Sequence, residues 1–493
     1  MVSKSLTFFS ASSNKNNKLF WFSLSITFAV ICGLLALKEG FSNEWVVHDD
    51  ARQHVFWLLR YLDPELFVND LIANYFQSVA PIGYSSLYRA AATIGINPLV
   101  FNKFLPSILG IICTYYCFAF CYKIYPVPFA CFVASLIFNQ IVWLKDDVIS
   151  ATPRAFVYPL LLAFLYYLSE RYLLPCIATI ALIGAFYPQA IFLCSGMLVL
   201  QLLRWQNKRL SFSRNSDDYY FCFMGLGVAV AVMLPYALSV SEFAPVITVE
   251  QARQLPEFYP KGRSAFFKDH WYSYYFGGGR SGMIPNSLWT PATTSFSLFL
   301  PILLSRRDRF PLLKKIQPNI RLLPQLIITS IFMFIMAHIF LFRLHLPSRY
   351  TGYSFRIILA IAAGIVISII TDSLLKQLQA TKEQLPYFRL ITQKILALIF
   401  LIAIAITLFL YPSFVNNFPS TKYKTGAIPQ LYEFLQKQPK DTLIASLIED
   451  TDNIPTFARR SILASREYAI PYHWGYYAEF RQRVVDLIQA QYT

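Results

Sequence analysis

Long apolar runs separated by short polar connectors dominate this chain. A helix needs about 20 apolar residues to cross the hydrocarbon core of a bilayer. This criterion predicts an all-α multi-pass membrane protein with about eleven transmembrane helices, at residues 19–37, 99–122, 127–143, 155–168, 172–187, 190–203, 219–240, 288–304, 322–342, 355–370 and 390–411. The three segments between 155 and 203 are short and interrupted by Pro175 and Pro188, which leaves open whether they cross, tilt or re-enter.

The polar stretches between these runs predict the domain organisation. Residues 1–411 are predicted to form the membrane domain, with a large first outer loop carrying interfacial helices at 38–98 and an outer flap loop at 241–285. Pro, Asn, Gln and charged residues replace the apolar runs after residue 411. Residues 412–493 are therefore predicted to form a small soluble α/β domain, with helices near 431–437 and 476–490 and strands near 442–447 and 461–465.

Composition and charge support the membrane prediction. The chain has 493 residues, of which 56% are hydrophobic and only 14% charged, with a formal net charge of +16. The basic residues are spread over short connectors, chiefly 204–214, 306–321 and 376–394, which suits anionic lipid and not nucleic acid. The positive-inside rule then places the amino terminus in the cytoplasm and residues 412–493 outside it.

The stretch from Val46 to His54 carries the most concentrated chemistry. The first apolar run is followed by His48, Asp49, Asp50 and His54. Paired acids this close to a membrane span indicate a function, because burying or crowding charge there is costly. The apolar stripe of Ala51, Val55, Leu58, Leu59 and Leu62 predicts an amphipathic helix here. Such a helix would place Asp50 and His54 one turn apart. The two acids could instead only cap the amino terminus of this helix, and both interpretations stay open at this point.

Other polar residues near the outer ends of spans are candidate substrate contacts. Asp70 precedes an apolar-periodic segment, which makes it either a helix cap or a substrate-binding acid. Arg154, Arg263 and Arg349, followed by Tyr350, suit the binding of a lipid phosphate, although an arginine at this depth can also contact ordinary headgroups. His48 and His54 have no third ligand at a metal-like spacing, so no metal site is predicted. His54, one turn from Asp50, is also a candidate substrate contact.

Three short motifs give the chain a resemblance to a known superfamily. They are His48-Asp49-Asp50-Ala51 after the first span, Thr152-Pro153-Arg154 before the fourth, and Pro347-Ser348-Arg349-Tyr350-Thr351 before the tenth. In layout and in these motifs the chain resembles the type C glycosyltransferase fold, the polyprenyl-phosphate-sugar-dependent membrane glycosyltransferases, and an uncharacterised bacterial branch of that superfamily. It lacks an Asp-x-Asp in the first loop and the Trp-Trp-Asp signature of oligosaccharyltransferases.

The resemblance implies sugar transfer from a polyprenyl-phosphate donor to a glycan, lipid or protein acceptor outside a bacterial inner membrane, with inversion. It implies that Asp50, ahead of Asp49, is the general base. Arg349, with Arg154 or Arg263, would hold the donor phosphate, and no cofactor is certain, although a divalent cation is left open. Two alternatives remain: a lipid or polysaccharide transporter or flippase, which the absence of acids near the middle of the spans disfavours, and a non-catalytic envelope assembly protein.

Overall fold

The computed structural model describes residues 15–206, 209–239, 241–380, 387–415 and 417–492. The first fourteen residues and parts of two predicted basic connectors, 207–208 and 381–386, lie outside these described residues. The described chain is 71% helical with little sheet. Its α-helices are α1 (Lys15–Gly40), α2 (Ala51–His54), α3 (Leu71–Ser78), α4 (Ile82–Thr93), α5 (Pro98–Ile124), α6 (Pro128–Trp143), α7 (Asp146–Ile149), α8 (Val157–Glu170), α9 (Leu173–Phe186), α10 (Ile191–Gln201), α11 (Ser216–Leu238), α12 (Val249–Gln254), α13 (Leu300–Leu304), α14 (Leu322–Ile339), α15 (Ser348–Gln379), α16 (Tyr387–Phe409), α17 (Pro429–Gln436), α18 (Ile454–Phe457) and α19 (Trp474–Tyr492).

The strands are short and pair two by two. In chain order they are β1 (Val46–His48), β2 (Leu203–Gln206), β3 (Arg209–Phe212), β4 (Tyr423–Thr425), β5 (Leu443–Ile444) and β6 (Ser461–Ile462). β1 pairs with β4 and β2 with β3, both antiparallel, whereas β5 and β6 are parallel. The sheets therefore tie loops together and do not form a layer of the fold.

Among the described residues, 6 helices are long and apolar enough to cross a membrane, which identifies a membrane protein. They are Lys15–Gly40, Pro98–Ile124, Ser216–Leu238, Pro318–Ile339, Ser348–Gln379 and Phe388–Phe409. This count does not confirm the eleven predicted spans. The remaining predicted spans form shorter helices, and a proline lies at or just before the start of three of them, at Pro128, Pro188 and Pro291.

Helix α6 lies at the centre of the helix bundle although it has only 16 residues, all of them buried. A helix that is apolar on every side belongs inside a protein or a membrane, and here it is enclosed by other helices. Its closest neighbour is α15, where a Cβ added to Gly364 would lie 2.7 Å from the Ala134 Cβ. The absence of a side chain at Gly364 therefore sets how closely these two helices approach.

The bundle has two chemically different ends. At one end, called the loop end, α1 and α6 finish and α15 begins. At the opposite end, Lys123 pairs with Glu170 at 2.5 Å and Arg204 with Asp218 at 2.6 Å. The Gln317 N–H also donates to the Ile124 carbonyl there. The opposite end therefore joins connectors to one another through charged pairs.

The polar segments at the loop end pack into one body. The pairing of β1 with β4 joins the first loop to the segment after residue 411. The Tyr75 and Tyr476 rings stack with centroids 3.8 Å apart. A single bridge between Val246 and His473 adds the 241–285 loop. These three segments, distant in sequence, thus share contacts above the helix bundle.

Candidate functional site

Asp50 lies where β1 ends and the one-turn helix α2 begins. It occupies the N-cap position of α2, but its side chain makes no capping hydrogen bond. Its carboxylate instead forms an ion pair with the Arg154 guanidinium, 104 residues further along the chain. The Asp50 N–H donates to His48 Nδ1 at 3.0 Å. The carboxylate of Asp50 is therefore held by tertiary structure and does not serve helix capping.

Charged side chains from three connectors meet around this ion pair. Arg154 Nη2 lies 3.1 Å from Asp146 Oδ2, and its Nη1 lies 4.0 Å from Asp147 Oδ1. Asp147 Oδ2 is in turn 2.9 Å from Arg356 Nη1. Because acids and bases alternate, each buried charge has a partner of opposite sign, which offsets part of the cost of burying it. We call this group the acid–arginine cluster: Asp50, Asp146, Asp147, Arg154, Arg349 and Arg356.

The helices explain how the cluster is assembled. Arg349 and Arg356 are seven residues apart at the start of α15, so they project from one face of that helix. Arg349 Nη1 reaches Asp147 Oδ1 at 4.0 Å. Tyr158, in the first turn of α8, accepts a hydrogen bond from Arg356 at 2.9 Å and donates one to Asp147 at 3.3 Å. Helices α8 and α15 thus hold Asp147 from two sides.

All three guanidinium groups of the cluster have an unused donor. The Nε–H groups of Arg154, Arg349 and Arg356 are buried and have no hydrogen-bond acceptor within the described residues. A buried donor without an acceptor is unfavourable and rare in folded proteins. Guanidinium groups match carboxylate and phosphate oxygens in geometry and charge. Arg321 and Arg460 also have an unused Nε donor, so it is the grouping of three guanidinium groups in one cluster that suits an anionic group.

The charge state of the cluster follows from its geometry. Burial raises the pKa of Asp50, but the opposing effects of Arg154, His48, His54 and Arg349 together lower it more, and the result is about 2. Burial lowers the pKa of both His48 and His54 to about 4. At neutral pH Asp50 is therefore ionised and both imidazoles are neutral. While Arg154 holds it, Asp50 is a good hydrogen-bond acceptor but a weak base.

A small cavity of about 70 Å³ lies beside the cluster. Arg349, Arg356 and Tyr353 line it on the α15 side, and Gly279 and Ser287 line it from the loop before α13. The Ser348 hydroxyl donates to the Gly279 carbonyl at 3.0 Å, which holds the three consecutive glycines 277–279 against the start of α15. Movement of these glycines would enlarge the space in front of Arg349.

The other predicted site residues fall into two groups. His54 lies near the cluster, where Asp50 and Arg154 affect its charge, and its ring packs edge-on against Phe76. Asp49 pairs with Arg52 and not with Arg154. Arg263 pairs with Glu467 at 2.9 Å, so the structure does not place it among the cluster arginines.

Two predicted substrate contacts have structural partners. Asp70 caps α3, because its carboxylate accepts a hydrogen bond from the Ala73 N–H at 2.7 Å. Tyr350 is buried, and its hydroxyl donates to the Leu344 carbonyl at 2.9 Å. The roles of Asp70 and Tyr350 in substrate binding remain predictions.

Sequence reasoning missed three members of the cluster. Asp146 and Asp147 are a pair of acids in the connector after the span that ends at Trp143, as Asp49 and Asp50 are a pair of acids in the loop after the first span. Arg356 lies inside a predicted apolar run, where a charged residue is costly and usually functional. Both signals could have been read from the sequence. The pairing of Asp50 with Arg154 could not, because it depends on tertiary contacts.

Compared with known proteins, the chain matches no family model and no curated protein. Within the part of the chain that the structure describes, no group of three or more His, Cys, Asp or Glu side chains is arranged to hold a metal ion. The chemistry of the site therefore has to be inferred from its own residues.

Proposed function

We propose that this chain is a membrane glycosyltransferase that moves a sugar from a polyprenyl-phosphate-linked donor to an extracytoplasmic glycan, lipid or protein acceptor. The observation that carries the proposal is the contact between Asp50 and Arg154 inside a cluster whose three arginines have unused Nε donors. A carboxylate for the acceptor and guanidinium groups for the phosphate are the two elements that this reaction needs. The resemblance to the type C glycosyltransferase fold points the same way.

The arginines suit the phosphate of a lipid-linked sugar. Arg349 and Arg356 lie in the first turns of α15, a candidate membrane span, and so at the depth where a lipid phosphate sits. A bidentate contact from Arg349 would fix the phosphate and neutralise the negative charge that develops on it. The apolar surface of the neighbouring spans would accept the polyprenyl chain.

Asp50 is the residue proposed to activate the acceptor. The acceptor O–H gives its proton to the Asp50 carboxylate while its oxygen forms a bond to the anomeric carbon of the sugar. The bond from that carbon to the phosphate oxygen breaks, and its electron pair stays on the phosphate. Attack opposite to the leaving phosphate inverts the anomeric centre.

In this scheme, binding of the donor raises the weak basicity of Asp50. A donor phosphate would compete with Asp50 for Arg154, because phosphate is an equally good partner for a guanidinium. Loss of that contact would remove the largest influence that lowers the pKa of Asp50. Donor binding would therefore convert Asp50 from an ion-pair partner into a working base.

The distribution of charge supports the orientation and the localisation. The described connectors at the opposite end are rich in basic residues, which the positive-inside rule assigns to the cytoplasm, including Lys123, Arg171, Arg204, Arg209, Arg214, Arg309, Lys314, Lys315 and Arg321. The loop end then faces outward, with the amino terminus cytoplasmic and residues 412–493 extracytoplasmic. We propose the inner membrane of a bacterium and eleven crossings, in which the short helices also run between the two ends.

The test replaces Asp50 by Asn in cells that lack their own copy of the gene. Cell-envelope glycans are analysed together with the amount of protein in the membrane. Glu65→Gln is the matched control, because Glu65 is a largely exposed acid of the same loop. Loss of a glycan product with Asp50→Asn and its retention with Glu65→Gln is expected. Normal glycans with normal protein levels for Asp50→Asn would favour a transporter or an assembly protein.

A further inference from the structure

A second cavity lies on the other side of Asp49. It is a cleft of about 650 Å³, formed between the first loop, the 241–285 loop and the segment after residue 411. Asp49 and Arg52 line it from the first loop, Arg263 from the second, and Asp452 and Glu467 from the third. Its volume falls within the range of about 300–1,000 Å³ that is usual for ligand sites. We call it the polar cleft.

The wall that the first loop contributes to the polar cleft is built from buried ion pairs. Arg52 is only 6% exposed. It contacts Asp49, donates to Asn453 at 3.0 Å, and lies 3.2 Å from Glu467. Arg263, from the 241–285 loop, contacts the same Glu467 carboxylate. The cleft therefore has a defined shape that three chain segments hold together.

The lining of the polar cleft indicates the chemistry of its ligand. Nine of its twelve lining residues are charged, five acids and four bases, and none is aromatic. An acyl chain would leave these charges without partners, which is strongly unfavourable. A lining without apolar or aromatic pockets offers no anchor for the apolar side chains that carry most peptide affinity. Hydroxyl groups both donate and accept hydrogen bonds, so a sugar can satisfy a lining of both signs.

The position of the polar cleft relates it to the acid–arginine cluster. Asp49 faces the cleft, whereas the next residue, Asp50, contacts Arg154. The Cα atoms of successive residues are about 3.8 Å apart. The polar cleft therefore borders the residue next to Asp50, and an acceptor would extend from the cleft toward the Asp50 carboxylate.

We propose that the polar cleft is the acceptor subsite and that it binds a carbohydrate segment through its hydroxyl groups. The assignment as an acceptor subsite rests on the proposed glycosyl transfer, whereas the binding of carbohydrate does not. Lys424 and Arg466 at the exposed rim would contact the outer sugars. Asp49 would hold the sugar whose hydroxyl group reacts.

The test is photocrosslinking in the full chain in intact cells. Ala427, an exposed residue of the cleft lining, is replaced by p-benzoylphenylalanine, and the irradiated protein is purified and examined for attached carbohydrate by mass spectrometry. Glu433, an exposed residue of α17 outside the cleft lining, receives the same substitution as the control. A carbohydrate adduct at position 427 and none at 433 is expected. A peptide or lipid adduct at 427, or no adduct beyond the control, would overturn the proposal.

Two further variants separate this proposal from the proposed function. Asp50→Asn combined with the crosslinker at position 427 should keep the carbohydrate adduct while the glycan product is lost. If this combined variant gave the adduct and an unchanged glycan product, the transferase function would be refuted but carbohydrate binding would not. Lys424→Ala combined with Arg466→Ala, which removes the two proposed contacts to the outer sugars, should strongly reduce the product. Lys437→Ala is the control, because Lys437 is exposed and lies outside the cleft lining. A normal product with the double variant would refute the cleft as the acceptor subsite.

Discussion

Asp49 and Asp50 are neighbours in the chain, but their carboxylates pair with different arginines. Asp49 contacts Arg52, which continues to Glu467 in the segment after residue 411. Asp50 contacts Arg154, which belongs to the acid–arginine cluster. The two acids thus connect two separate networks, one at the polar cleft and one at the start of α15. Substitutions at the two positions are expected to have different effects.

Replacing Arg154 by Gln should destabilise the protein strongly. Its side chain is 16% exposed and its loss leaves Asp50 and Asp146 without their partner. Removal of one partner from a buried ion pair costs about 3–5 kcal/mol. Thermal unfolding in detergent at pH 7 measures the effect. The control is Arg481→Gln, because Arg481 is 52% exposed and its pair with Glu257 should contribute little. Equal melting temperatures for the two variants would contradict this view of the cluster.

Asp147 and Arg356 should be energetically coupled. They form an ion pair of 2.9 Å in which both side chains are buried. We expect Asp147→Asn and Arg356→Gln each to lower stability, and the double variant to lose less than the sum, with a coupling energy of about 1–3 kcal/mol. A double-mutant cycle measured by unfolding in detergent gives this value. Strict additivity would show that the ion pair contributes nothing.

Gly364→Ala should loosen the contact between α6 and α15. The added Cβ would lie 2.7 Å from the Ala134 backbone nitrogen, which cannot move away easily. We expect a loss of stability of about 1–3 kcal/mol. Gly352→Ala in the same helix is the matched control, because nothing lies within 4 Å of its added Cβ. Equal stability of the two variants would rule out close packing at Gly364.

Glu467 should make stability depend on pH. Burial raises its pKa from the ordinary 4.5 to about 7, against the opposing effect of Arg263 and Arg52, while Asp49 and Asp452 raise it further. Between these values the folded protein holds the proton more tightly than the unfolded chain. Its contribution is therefore complete below pH 4.5 and is lost as pH rises through 7.

The measurement compares the wild type with Glu467→Gln, whose side chain does not titrate. Melting temperatures are recorded from pH 5 to 8 in the same detergent. The stability of the wild type relative to the variant should fall over this range, by at most about 3 kcal/mol. A difference that stays constant with pH would mean that Glu467 titrates at its ordinary value.

The sequence predicted the helical class well because apolar runs determine where membrane helices form. The predicted run 322–342 became α14, for example. The run 355–370 underestimated α15, because the polar residues at 348–354 and 371–379 interrupt the apolar pattern without interrupting the helix. The run 288–304 was predicted as one span, but it divides into a 3₁₀ helix at Ala292–Phe299 and the short α13. Hydropathy alone reports neither of these effects.

The site was less predictable than the helices. The amphipathic helix predicted from residue 51 contains only one α-helical turn before a 3₁₀ helix at Phe56–Tyr61. The sequence could propose that Asp50 either caps this helix or has another role, but the choice depended on Arg154, 104 residues away. The polar cleft has no sequence signal, since its walls come from three distant segments. Tertiary pairing thus supplied what periodicity could not.

The central claim is that Asp50 acts as the base in sugar transfer, and one measurement tests it most directly. Purified protein in proteoliposomes is supplied with lipid-linked sugars and envelope glycans extracted from the same cells, and released polyprenyl phosphate is measured by mass spectrometry. The wild type should release it, and Asp50→Asn should be slower by about 100-fold or more, as expected for the loss of a general base. Equal release by the wild type and Asp50→Asn, or no release by the wild type, would contradict the claim.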